Sequence, residues 1–216
     1  MFLNRVNSYF ILCLFSILSA CLTSVETQAN DQKSNWQEYK NKDNIHIRFK
    51  QARHTKLLEV NACLKTEGSP HQALQFLTSP NKIKQWLDNV ENVTAIELIT
   101  PSRSIMSTTI KGMWPVKPRQ AYVYSDIYVE NNGTIIITQT DAGKRFTADK
   151  GYIRIILQHA TWTIKPIENN AITICYNVLA DPQGKIPSWL ANRVALSSMH
   201  KTLKNVQRQF PASNFK

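Results

Sequence analysis

Between residues 93 and 180 nearly every stretch of the chain alternates apolar with polar residues, and clusters of turn-forming residues separate each stretch from the next. A period of two puts one set of side chains on each face of a strand, so 93–99, 104–110, 121–129, 134–139, 152–164 and 171–179 read as strands. Asn131-Asn132-Gly133 and Glu168-Asn169-Asn170 tolerate the left-handed backbone of hairpin tips. Strands joined this tightly leave no room for crossovers and form an antiparallel meander. Pro187 then opens a helix whose Trp189, Leu196, Met199, Leu203, Val206 and Phe210 fall on one stripe.

Ahead of the meander, a short helix is expected around Trp36 with Ser34 as its cap, followed by strands over 45–49 and 58–64. Ser69 caps a helix with Pro70 at its first position and Ala73, Leu74, Phe76 and Leu77 at helical spacing. After a break at Pro80, Ile83, Trp86, Leu87 and Val90 begin a second helix. This order describes an α+β domain in which a curved antiparallel sheet wraps the long C-terminal helix. A sheet curved around one helix encloses more volume than its own side chains fill, so an apolar cavity is the expected binding site.

The chain has 216 residues, 43% of them hydrophobic, with only 6 Gly and 9 Pro, which excludes wholesale disorder and collagen-like or low-complexity folds. Its net charge of +11 favours anionic partners without choosing among them. Arg5 precedes an apolar stretch over 9–20, about half of what a bilayer span needs, so 1–20 reads as a signal peptide. Leu18-Ser19-Ala20-Cys21 resembles the bacterial lipobox, which implies lipidation at Cys21. Residues 21–35 are polar and aperiodic, a tether for a domain over 36–216. Leu22 after the Cys resembles outer-membrane sorting, so the expected location is the bacterial envelope, anchored and facing the periplasm. The alternative is cleavage near Ala29, giving a soluble periplasmic or secreted protein.

Two motifs carry a resemblance to a known family. Met113-Trp114-Pro115-Val116-Lys117-Pro118-Arg119 is similar to the Trp-Pro…Arg-Asp loop of START (StAR-related lipid transfer) domains. Asp181-Pro182-Gln183-Gly184-Lys185-Ile186-Pro187-Ser188-Trp189-Leu190-Ala191-Asn192 resembles their turn into the last helix. The resemblance spans about 36–210 and implies the helix-grip fold and a lipid or other hydrophobic ligand. It also implies that the loop overhangs the cavity mouth, with Trp114 as a lid or a core plug and Arg119 facing a lipid phosphate or the surface. The sequence departs from the pattern at Gln120, where an Asp is expected. Met106 and Ser125 stand where some members place a buried acid and base.

In such a fold Met106, Thr108 and Ile110 share a face with Ala121, Val123, Ser125 and Ile127 of the next strand, a wall of small and medium residues that leaves space. Trp189, Leu196, Met199 and Leu203 would face it from the helix, as core in any case. Arg154 is an inward charge if its parity points to the cavity, and otherwise lies at an edge or the surface. The resemblance also pairs 58–66 with 171–179, with Val60, Ala62, Leu64, Ile172, Ile174, Tyr176 and Val178 inward. Cys63 and Cys175 then fall on the outer face, as a disulfide or as two buried thiols.

His46, His54, His71, His159 and His200 show no metal-ligand spacing, and neither Gly-x-Ser-x-Gly nor a phosphate-cradling Gly-rich loop is present. No cofactor, metal or nucleic-acid partner is expected, and catalysis has no evident residues. The expected function is binding, and carrying, of a lipid by a monomeric domain attached to the membrane through Cys21. The alternatives are a cavity-poor scaffold of the envelope and a cyclase- or hydrolase-like enzyme on the same fold.

Overall fold

The computed structural model describes residues 35–112 and 116–210. The expected signal peptide, Cys21, most of the expected tether, Ser34 and Trp114 lie outside the described residues. The elements are β1 (Gln37–Lys42), β2 (Ile45–Gln51), β3 (Leu58–Glu67), α1 (Pro70–Thr78), α2 (Pro80–Trp86), β4 (Val90–Thr100) and β5 (Arg103–Ile110). They continue with β6 (Arg119–Val129), β7 (Ile135–Asp141), β8 (Ile153–Arg154), β9 (Ile156–Ile167), β10 (Ala171–Asp181) and α3 (Ser188–Gln209).

The strands form one sheet in the order β1-β2-β3-β10-β9-β7-β6-β5-β4, antiparallel throughout, with β8 added parallel to β6. The first three strands therefore join the meander through β3 and β10, with Val60 opposite Val178 and Leu64 opposite Ile174. One parity of this seam is buried: Val60, Ala62, Leu64, Ile172 and Ile174 are 0–1% exposed. Facing them, α3 contributes Leu196, Met199, Leu203, Val206 and the following Phe210. A chain of rings runs from Phe210 through Phe76 and Trp86 to Trp162 and Tyr176, the last two stacked at 4.1 Å. This is the fold expected from the order of elements, a curved sheet gripping a C-terminal helix.

Local chemistry explains the element ends. Ser69 Oγ accepts from Gln72 N at 3.3 Å and Gln72 Oε1 accepts from Ser69 N at 3.0 Å, a reciprocal capping box with Pro70 at the first position of α1. Asn169 and Asn170 take φ of 60° and 54° at the tip between β9 and β10.

Three expectations are corrected. The segment after Trp36 is not a helix but the edge strand β1, turned into β2 by Asp43 and Asn44 at φ 56° and 62°. Trp36 itself lies beneath Arg48 and Lys50, with the cations 5.3 and 4.7 Å from its ring centre. The strand expected over 152–164 breaks at Ile155 into β8 and β9, and the second helix ends at Trp86, so Val90 opens β4 instead.

Candidate functional site

The large residues of α3 pack on the sheet, but beside them runs a second stripe of small ones: Ala191, Ala195, Ser198 and Thr202. Spacings of four, three and four keep these on one helix face. Opposite them stand Val60 of β3, Tyr176 and Val178 of β10 and Ile110 of β5. Short side chains cannot span the gap, and a cavity of about 300 Å³ remains between helix and sheet. Leu57, Leu58, Leu87, Val116, Ala180 and Ile186 complete its apolar wall.

The polar groups at its edge are mostly engaged in holding the walls together. Asn192 Oδ1 accepts from Leu58 N at 3.1 Å while its Nδ2 donates to Lys56 O at 2.9 Å, tying α3 to the turn before β3. Thr202 Oγ1 accepts from Asp88 N at 3.1 Å. The Asp88 carboxylate accepts from Asn89 Nδ2 at 2.8 Å. Burial pushes the Tyr176 phenol well above its ordinary range, so it stays neutral.

Arg119, at the start of β6, is 7% exposed and lines this cavity. Its Nε donates to Pro182 O at 3.4 Å, its Nη2 to Gln183 O at 3.5 Å and its Nη1 to Lys117 O. Asp181, the acid nearest in that turn, spends both oxygens on Gln183, accepting from its N at 2.8 Å and its Nε2 at 2.6 Å. Gln120 replaces the expected acid and points the other way, exchanging hydrogen bonds with Asp149 at 3.0 and 2.7 Å and donating to Ser107 at 3.2 Å. Burial accordingly pulls the Arg119 guanidinium below its usual value, with no acid opposing the shift. Beyond Arg119 lies a second hollow of about 500 Å³ bordered by Lys117, Lys185, Ile153 and Leu190; it shares Val116, Arg119 and Ile186 with the first.

Of the residues singled out in the sequence, Ile110, Arg119 and Met199 line the cavity. Met106, Thr108, Ala121, Val123 and Ser125 share their face, since Met106 pairs with Val123 and Thr108 with Ala121, but they are not cavity residues. The hollow sits at the Ile110 end of β5, and farther along the strands the same face is filled: Met106 packs on the core and Ser125 accepts from Gln139 Nε2 at 3.2 Å. Leu196 and Leu203 are core residues, Leu203 fully buried. Trp189 is 66% exposed and does not face the cavity.

Arg154 does not face the cavity. It pairs with Gln120 on the opposite face, donates from Nη2 to Asp141 Oδ1 at 2.6 Å and lies 5.1 Å from the ring of Tyr122. That ring stacks on Phe146 at 4.8 Å. On the same outer face Cys63 and Cys175 stand opposite one another and are bonded, with Sγ atoms 2.11 Å apart. The inward parity of Val60, Tyr176 and Val178 is legible in the sequence, whereas the residues that locate the hollow, the small stripe of α3, are not among the expected site residues.

Comparison with known proteins agrees with this architecture. The START domain family model matches residues 16–212. A STAR-related lipid transfer protein of Xanthomonas axonopodis superposes with a TM-score of 0.74 at 21% identity, over 82% of this chain and 99% of that one. Human StAR-related lipid transfer protein 5 gives 0.75 at 14% identity, over 83% and 88%. An uncharacterized protein of Pseudomonas aeruginosa is 29% identical over 94 residues, 44% of this chain and 46% of its own length, so the match spans less than half of that relative.

Proposed function

The chain belongs to the START domain family, and from that membership we propose that it binds a lipid or similar hydrophobic molecule between α3 and the sheet, and carries it. One observation supports this most directly: the cavity of about 300 Å³ whose wall is largely apolar, with Asn192 and Thr202 at its edge engaged in structure. Such a volume lies at the lower end of small-molecule sites, which run from ~300 to ~1,000 Å³, and suits one acyl chain or a compact ring system. The mechanism is transfer of apolar surface out of water, worth ~0.8 kcal/mol for each buried methylene, with no bond made or broken.

We place the protein in a bacterial envelope, held by a lipidated Cys21 and facing the periplasm as a monomer. The support is the Leu18-Ser19-Ala20-Cys21 motif and the polar segment after it. Solvent extraction of the purified protein followed by mass spectrometry tests the ligand. A co-purifying hydrophobic molecule at about one per chain is expected, and a protein that neither retains nor takes up any would overturn the reading. Cys21→Ser tests the anchor: it should abolish acylation and membrane fractionation, and unchanged fractionation would exclude it.

A further inference from the structure

Arg119 carries a buried charge that nothing described in the chain neutralises. Its contacts are three backbone carbonyls, two of them long at 3.4 and 3.5 Å. A guanidinium has five N–H groups, so two remain, one on Nη1 and one on Nη2. Both sit on one planar guanidinium and can donate to the oxygens of a carboxylate or phosphate. Burying a cation without a counter-charge is costly, and Asp181, the acid of the adjoining turn, is committed to Gln183. The surroundings have the same sign. Lys111 lines the apolar cavity beside Arg119, Lys117 and Lys185 line the adjoining hollow, and Asp88 is the one carboxylate among the described lining residues of both.

Resting on the lipid-binding reading above, we propose that the ligand is a single-chain amphiphile with an acidic head group. Its apolar body occupies the 300 Å³ cavity, and its anionic head sits at Arg119, in the junction with the hollow bordered by Lys117 and Lys185. Arg119 sets specificity: an acidic head gives it a counter-charge and charge-assisted hydrogen bonds, whereas a neutral head gives only the weaker neutral ones. Carboxylate and phosphate heads share the chemistry required.

The test compares acidic probes with neutral partners of the same chain. Binding of cis-parinaric acid and of its methyl ester is followed by fluorescence, and oleate, oleoyl lysophosphatidate and monooleoylglycerol are used as competitors. The wild-type protein should bind the acid about tenfold more tightly than the ester, and the preference should shrink at high salt. Arg119→Gln should remove the preference while leaving ester binding in place, with circular dichroism reporting its fold. Stronger competition by oleate marks a carboxylate ligand and by lysophosphatidate a phosphate one, and either outcome supports the assignment over monooleoylglycerol. Equal binding of acid and ester, or a preference that survives Arg119→Gln, would overturn it. If Arg119→Gln does not fold, the Lys117→Gln/Lys185→Gln variant replaces it. A reduced preference there supports the assignment and an unchanged one refutes it. Binding of neither acid nor ester would instead remove the lipid-binding reading itself.

Discussion

Cys63 faces Cys175 directly across the β3–β10 seam, with Cα atoms 4.0 Å apart and a bond between their sulfurs. The bridge joins residues 112 positions apart, so it removes a large loop's freedom from the unfolded chain. Replacing both cysteines with Ser should lower stability by ~2–5 kcal/mol in denaturant titration. Probe binding to the folded double variant should persist, because both cysteines lie on the face away from the cavity. An unchanged midpoint would show that the bridge contributes nothing.

Ser198→Phe should place a ring in the cavity, since Ser198 belongs to the small stripe of α3. Affinity for cis-parinaric acid should fall about tenfold or more with little loss of thermal stability. Ala121→Trp provides the opposite case. Ala121 is 8% exposed but outside the cavity, so overpacking there should cost ~1–3 kcal/mol and leave binding to the folded fraction intact. Binding and unfolding measurements on both variants separate cavity from core.

Along α3 the two ends should respond differently. Leu203 is fully buried, and Leu203→Ala should cost ~2–5 kcal/mol in chemical unfolding. Trp189 is 66% exposed, and Trp189→Ala should change stability by less than ~0.5 kcal/mol. A large loss at Trp189 would return it to the core.

Glu59 gives a pH signature. Burial opposes its charged form, but hydrogen bonds from Asn177 and Lys50 outweigh it, with His159 adding a further one, and hold the carboxyl below its ordinary 4.5. A carboxyl with a lowered folded value stabilises the protein fully above 4.5, and the contribution fades as pH falls through the folded value. Glu59→Gln should therefore be less stable than wild type at neutral pH, with the gap closing in acid. A gap constant across the acid range would show that Glu59 contributes no linkage.

The grip itself was legible because strand alternation, the Asn-rich tips and the Ser69 cap each act locally. What escaped the sequence depends on neighbours. The edge strand β1 shows little apolar alternation, since an edge exposes both faces and carries Lys40 and Lys42. Arg154 could not be oriented because the strand breaks at Ile155, and a break resets the alternation that fixes which side a residue faces. The expected cavity lies too far along β5 and β6 because large residues announce a core, whereas a hollow is announced by small ones. Ala191, Ala195, Ser198 and Thr202 have that spacing, but their meaning depends on Val60 and Tyr176 standing opposite.

The seam between β3 and β10 also dictates an order of events. The strands β1 to β3 find their place in the sheet only when Ala171–Asp181 exists to receive them, so no early segment of the chain can complete its half of the sheet during synthesis. Loop closure over so long a separation must precede the contacts that reward it, which makes this topology slow to fold. Such a chain leaves the outer edge of β3 open until it is nearly whole, although β1, β2 and β3 can pair with one another before then.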